Sequence, residues 1–270
     1  MSVIMSGNNN LIINNIVDGV KRITLNDIQR RNALSESMIV QLISSLEQAT
    51  LDPSVKVIVI SSKGSVFCSG HDLKEITNAR AEADHGKAFF TNLMALCSNL
   101  MQAIVKCPKP VIAEVSGVAT AAGCQLVASC DLAYAAKEAK FCTPGVNIGL
   151  FCSTPMVAVS RSISQKNSME MLLTGDMISA DRAEEIGLVN RSTPMKDLEA
   201  TVTLIAKKIA SKSSPTVKIG KEAFYAQKEM DLAQAYKHTS KVMVENLFYE
   251  DAKEGISAFL EKRDPDWNDR

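Results

Sequence analysis

Ser116-Gly117-Val118-Ala119-Thr120-Ala121-Ala122-Gly123-Cys124-Gln125-Leu126-Val127-Ala128-Ser129-Cys130-Asp131 is the stretch whose reading decides the fold. An apolar run, Val111 to Val115, precedes it, and another, Leu132 to Ala135, follows it. Strand, small-residue turn, a short helix over Gly123 to Ser129, then strand again is the order of an α/β core. An upstream segment repeats it. Val55 to Ile60 reads as a short strand, and Phe67-Cys68-Ser69-Gly70-His71-Asp72-Leu73-Lys74-Glu75 as a turn running into a helix. A strand that ends in a small-residue turn before a helix can aim backbone N–H groups at a negative oxygen.

Working outward, Leu11 to Val17 and Val20 to Leu25 read as a hairpin around Asp18-Gly19. Ser35 to Ala49 is an amphipathic helix with Ser35 as N-cap. Lys87 to Val105 is a long helix that stops before Cys107-Pro108-Lys109-Pro110. Short helices and turns fill the chain to about Leu188. Beyond it, Asp197 to Ala210, Pro215 to Gln227, Asp231 to Glu250 and Asp251 to Lys262 read as helices, with Pro215 placed in a first helical turn. The pattern divides the chain into an α/β core over residues 1–196 and an all-helical region over residues 197–270, a lid or an oligomerisation element.

The 270 residues are enough for a large core, and 46% hydrophobic with 22% charged residues is an ordinary globular composition. Thirty basic residues balance thirty acidic ones, which removes the usual electrostatic argument for nucleic acid or an anionic membrane as the main partner. Seven cysteines stand singly at 68, 97, 107, 124, 130, 142 and 152, mostly in apolar runs. That reads as small buried thiols, without a disulfide framework or a metal site. No apolar run is expected to reach the roughly 18 residues that span a bilayer. Residues 1–10 are polar and Asn-rich, the first Lys or Arg is Lys21, and the final Trp267-Asn268-Asp269-Arg270 is no peroxisomal address. The dinucleotide, P-loop, α/β-hydrolase and zincin motifs are all missing.

Five segments in order resemble the crotonase superfamily, also called enoyl-CoA hydratase/isomerase. They are Arg31-Asn32-Ala33-Leu34, Phe67 to Glu75, Gly117 to Asp131, Ala180 to Asn190 and Glu254 to Arg263. Any one is weak; their order and spacing carry the resemblance. Gly123 to Asp131 and Thr143 to Pro155 are similar to one subgroup within it. The resemblance implies a spiral of β-β-α units with a C-terminal helical region, assembled as a homotrimer or hexamer. It implies coenzyme A thioesters as substrate or ligand, fatty-acid metabolism as the setting, and no further cofactor. Through the subgroup it also implies a mitochondrial protein; the residues alone would leave it cytoplasmic.

Carried over position by position, the backbone N–H groups of His71 and Ala122 become the donors to a thioester oxyanion. The His71 side chain is either turned away or a pocket group. Ala33 and Leu34 map to backbone contacts with CoA, and Lys74 to the neighbourhood of its phosphates or to a solvated charge. Phe259, Lys262 and Arg263 map to a helix that closes over CoA, although the last two also read as a plain helix-end charge pair. Glu75 reads as a surface or helix-start carboxylate.

The departures bear on the chemistry. Hydratases of this superfamily place a pair of glutamates around one water, and here Gln125 and Gly145 stand at those positions. Gln exchanges no proton near neutral pH and Gly has no side chain, so efficient hydration is not expected. An acid used by dienoyl-CoA isomerases maps near Ser153. Ser69-Gly70-His71-Asp72 resembles the string of decarboxylating members that act on methylmalonyl-type thioesters, but those carry a Tyr near the position of Cys152. Cys152, Ser153 and Thr154 are the nearest polar groups, and Cys152 also reads as a plain buried thiol. Two functions stay open: an acyl-CoA enzyme whose reaction needs no glutamate pair, or a non-catalytic acyl-CoA-binding or regulatory subunit.

Overall fold

The computed structural model describes residues 10–269, so the Asn-rich start up to residue 9 lies outside the described residues, as does Arg270. The hairpin forms as read. Strands β1 (Ile12–Val17) and β2 (Val20–Leu25) pair antiparallel around Asp18-Gly19, both at positive φ as a tight hairpin turn requires. The Ser35 side chain caps α1 (Glu36–Leu51) by accepting from Met38 N.

Three β-β-α units follow, each sending its first strand to one sheet and its second to another. The first holds β3 (Val57–Ser62) and β4 (Val66–Cys68), then α2 (Leu73–Ala79) and α3 (Lys87–Lys106). The second holds β5 (Val111–Val115), β6 (Val118–Thr120) and α4 (Ala122–Ser129). The third holds β7 (Leu132–Ala136) and β8 (Lys140–Cys142), then α5 (Ser153–Ser162) and α6 (Gln165–Thr174). Then come β9 (Ile178–Ser179), α7 (Ala180–Glu185) and β10 (Arg191–Thr193). The large sheet runs β1-β2-β3-β5-β7-β10 and the small one β4-β6-β8-β9. In both, the strands of the repeating units are parallel neighbours. The small sheet is absent from the sequence reading, because strands of three residues carry no visible alternation.

The turns between the paired strands hold the two sheets together at van der Waals limits. A Cβ on Gly117 would stand 2.1 Å from the Ser65 carbonyl oxygen, so only glycine fits there. The main core lies between the sheets and α1, α3 and α4, around Ile58, Ile60, Phe67, Leu100 and Phe141. α3 bears on the membrane expectation. Among the described residues it is the one helix long and apolar enough to cross a membrane by length and composition. Its Leu93, Cys97, Leu100, Met101 and Ile104 are nevertheless buried in this core.

The helical end comprises α8 (Met195–Ala210), α9 (Ser214–Gln227), α10 (Leu232–Leu247) and α11 (Glu250–Glu261). α8 covers the outer face of the large sheet, where Leu198, Val202 and Ala206 pack on Val57, Val59 and Ile112. α9 is locked down by a polar knot. Asp131 accepts from Lys221 Nζ at 2.6 Å, Tyr225 OH at 2.8 Å and Val111 N at 2.7 Å. α10 buries none of its residues.

Candidate active site

The spiral stacks the ends of β4, β6 and β8 side by side, and each end carries one of the turns singled out in the sequence. Ser69-Gly70-His71 follows β4, Ala121-Ala122 follows β6, and Thr143-Pro144-Gly145 follows β8. Loops at the carboxyl ends of adjacent parallel strands are where open α/β sheets bind ligands.

The first turn is fixed from outside by residues 31–34. Asn32 is fully buried at φ 52, a backbone conformation that Asn tolerates better than most residues. Its Oδ1 accepts from Asp27 N at 2.8 Å, and its Nδ2 donates to Lys63 O at 2.9 Å and Val66 O at 2.7 Å. Held this way, the segment pairs with the turn: Ser69 N donates to Arg31 O at 3.2 Å, and Leu34 N to Gly70 O at 2.7 Å. Gly70 has φ 86, and a Cβ there would stand 3.0 Å from Ala121 Cβ and 3.4 Å from Ala122 N. The two turns therefore touch.

The second turn is strained. Ala121 sits at φ 51, ψ −118, a region that costs a non-glycine residue about 1–3 kcal/mol. Its N–H donates to Cys142 O at 3.0 Å, and its carbonyl accepts from Gln125 N at 3.0 Å. Behind it, a Cβ on Gly123 would meet Cys68 O at 2.2 Å, so glycine lets α4 begin directly against β4. Among the described residues no hydrogen bond uses the N–H of His71, and the N–H of Ala122 is a first-turn donor with no partner in its helix. Two free donors thus stand on touching turns.

The His71 imidazole is largely buried, and its Nε2 finds no partner. Burial pushes its pKa down to about 4, so the ring is neutral at physiological pH. Asp72 caps α2 by accepting from Lys74 N at 2.9 Å. Lys74 itself is exposed. Glu75 reaches across to another helix, where its Oε2 accepts from Glu36 N at 3.0 Å and caps α1; burial raises its pKa. That role is invisible in sequence, where the next helix start lies upstream.

The two positions where the resemblance places glutamates are occupied by Gln125 and Gly145. Gln125 is 4% exposed, its Oε1 3.8 Å from Cys97 Sγ, a neighbour that helical periodicity marks only as core. At Gly145 the space for a side chain is taken. A Cβ there would stand 3.0 Å from Cys152 Sγ and 3.0 Å from Leu150 O, and Gly145 N donates to that sulfur at 3.3 Å. Burial raises the pKa of Cys152, against the hydrogen bond from Gly145. The same effect raises Cys124 and Cys142, and pushes Cys97 up to about 11 and Cys68 up to about 12. These are protonated thiols, weak as nucleophiles or bases. Ser153 opens α5 on the surface, with its Oγ 3.4 Å from Phe151 O. Among the described residues no group of three or more His, Cys, Asp or Glu side chains is placed to hold a metal ion.

The residues assigned to CoA divide. Ala33 and Leu34 lie buried against the first turn. On α11, Phe259 is 82% exposed and Lys262 is an exposed C-cap at φ 56. Arg263 instead forks onto Glu254 at 2.6 and 2.9 Å and holds that carboxyl down at about 2, so it is a helix-end ion pair.

A spiral of β-β-α units defines a class of fold, and comparison with known proteins agrees. The chain belongs to the enoyl-CoA hydratase/isomerase family, whose model matches residues 15–270. It is 48% identical over 252 residues to human enoyl-CoA hydratase domain-containing protein 3, mitochondrial, covering 93% of this chain and 82% of that protein. The rat protein of the same name is also 48% identical, over 251 residues, with the same coverage. The crystal structure of the human protein superposes with a TM-score of 0.90 at 46% identity, covering 95% of this chain and all of that one. An enoyl-CoA hydratase structure from Mycobacterium smegmatis gives a TM-score of 0.91 at 45% identity, covering 95% and 98%.

Proposed function

We propose that this chain binds acyl-CoA thioesters where the two turns meet, with the N–H groups of His71 and Ala122 donating to the thioester oxygen. The free donor on each touching turn is the observation that supports this reading. Each such donor is worth about 3 kcal/mol toward an oxyanion. Ala33 and Leu34 contact CoA through their backbone, Lys74 lies near its phosphates, and Phe259 and Lys262 close over it from α11.

The reaction is one that needs no glutamate pair. In decarboxylation of a malonyl-type thioester, the bond to the carboxylate carbon breaks and carbon dioxide leaves. The electron pair passes to the enolate held by the two donors, and a proton from water completes the product. Thioester hydrolysis, or at most slow hydration, is the other outcome. Gln125 and Gly145 supply no acid or base, and neither do the protonated thiol of Cys152 and the surface hydroxyl of Ser153.

A second reading has its own support. The sulfur of Cys152 lies 3.0 Å from where a Cβ on Gly145 would stand, and this crowding suits a non-catalytic acyl-CoA-binding or regulatory subunit in fatty-acid metabolism. In either reading the protein works in mitochondria, like the relatives that carry that word in their names. It assembles as a homotrimer or hexamer. Supporting this, α10 buries nothing, and Phe248, Phe259 and Leu260 stand 76%, 82% and 74% exposed.

A mass-spectrometric screen against 2-enoyl, 3-enoyl, malonyl, methylmalonyl, ethylmalonyl and saturated CoA thioesters tests both readings, with binding recorded beside turnover. Turnover of malonyl-type thioesters alone establishes the decarboxylase. Binding without turnover leaves the binding subunit. Failure to bind any thioester overturns both.

A further inference from the structure

α11 is weakly fastened to the rest of the molecule. Of its residues, Asp251 and Ala258 alone are buried. Among the described residues, no hydrogen bond or ion pair joins α11 directly to an earlier helix or strand. Its outward hydrogen bonds go instead to the segment that follows it. Glu254 takes the fork of Arg263 and accepts from Asp266 N at 2.8 Å, and Asp251 Oδ1 accepts from Asn268 N at 2.9 Å.

That segment, residues 264–269, is tied to the body of the protein. The half-buried Trp267 has its ring against α11 at Gly255, where a Cβ would stand 3.0 Å from Trp267 Cη2. Glycine at 255 therefore lets the ring lie close to the helix backbone. The indole Nε1 donates to Ser211 O at 3.0 Å, where α8 ends. Two residues on, Asp269 Oδ1 accepts from Ser214 N at 2.9 Å at the start of α9, and Asp269 Oδ2 pairs with Lys56 Nζ at 3.0 Å, just before β3. The indole thus spans the gap between α11 and the corner where α8 turns into α9.

We propose that Trp267 is a positioning residue for coenzyme A: its ring on Gly255 and its N–H on Ser211 clasp α11 to the α8–α9 corner and so hold Phe259 and Lys262 in place for the ligand. The proposal rests on the acyl-CoA reading above. An exposed ring and a cation find their complement in the adenine and phosphates of CoA, because the pantetheine arm carries neither charge nor aromatic face. A helix already held in its bound position loses less freedom when the ligand arrives.

The test is calorimetric titration of the full-length protein, in the assembly state in which it purifies, with butyryl-CoA and with butyryl-pantetheine, beside amide hydrogen exchange. W267A should weaken butyryl-CoA about tenfold, the scale of ordering one loosened segment, and leave butyryl-pantetheine unchanged. Faster exchange should be confined to α11 and the segment after it. W267F, which keeps a ring over Gly255 but not the N–H, should fall between W267A and the native protein. G255V breaks the clasp from the other side, by pushing the ring off the helix, and should reproduce the split between the two esters; it decides if W267A does not fold. Equal weakening of both esters would overturn the proposal, since Trp267 would then support the whole fold. So would unchanged butyryl-CoA affinity in W267A and G255V while the native protein binds both esters, a result that leaves the acyl-CoA reading standing. A native protein that binds neither ester overturns that reading, and the assignment of the clasp to CoA falls with it.

Discussion

The backbone half and the side-chain half of this site have parted company. At residues 70–71 and 121–122 the main chain is fixed by the hydrogen bonds of Asn32, by the close approach of Gly70 and by the glycine at 123. At residues 125 and 145 the side chains that would move protons are an amide and a hydrogen atom, packed against thiols. Backbone donors depend on the fold, and losing them means disturbing strand ends. A catalytic carboxylate is a single side chain, replaceable without moving the chain. The difference teaches that backbone donors set by strand ends and side chains set by single residues can vary independently in one architecture.

The harshest way to break the backbone half is Gly123→Ala. Its methyl would meet the Cys68 carbonyl at 2.2 Å, so α4 must shift away from β4. A loss of about 3 kcal/mol or more in urea unfolding is expected, since overpacking against backbone cannot relax through a rotamer change. Thioester affinity should fall with it.

The protonation of His71 comes next. Its folded pKa of about 4 lies below the ordinary imidazole value of 6.5 because the ring is buried. The unfolded chain therefore binds the extra proton first as pH falls, so the stabilisation is complete above about 6.5 and is lost between there and about 4. That amounts to about 3 kcal/mol. Unfolding curves from pH 7 to 4 should show this loss, and His71→Gln should remove that component.

Asn32→Ala tests the outer support. It deletes three hydrogen bonds from a buried residue, which should cost about 2–3 kcal/mol and lower acyl-CoA affinity while leaving the residues at 125 and 145 untouched. The smallest effect is expected at Ala121→Gly. Glycine accepts φ 51, ψ −118 without strain, so thermal unfolding should show a gain of about 1 kcal/mol after the entropic cost of glycine is subtracted.

Much of this was legible in the residues. Val111 to Val115 and Leu132 onward read as strands because each is a buried apolar run, and Ser35 read as a cap because its hydroxyl faces a helix start. The turns at 69–72 and 120–123 were visible as small residues between strand and helix. The second sheet was not, because β4, β6 and β8 have three residues each and gain identity only by stacking on one another. Gln125 and Gly145 were readable as departures from the family pattern, but what packs against them was not. The contact between Cys152 and Gly145 depends on the short helical turn over Pro144–Ile148 folding back, and Cys97 meets Gln125 from a helix distant in sequence. Glu75 was read as a surface or helix-start carboxylate, and a tertiary contact sends it to the start of α1.

The central claim is that the scaffold holds a thioester but lacks the groups to hydrate it. The most direct measurement is the hydration rate of a short 2-enoyl-CoA by the native chain and by Q125E/G145E/C152A. The third change removes Cys152 Sγ, the one side-chain atom among the three nearest to a Cβ at position 145, the others being Leu150 O and Cys152 N. The account predicts slow or undetectable hydration by the native protein, and a clear gain in the triple variant. Rapid hydration by the native protein, matched or exceeded by nothing in the variant, would contradict it and show that another group supplies the proton.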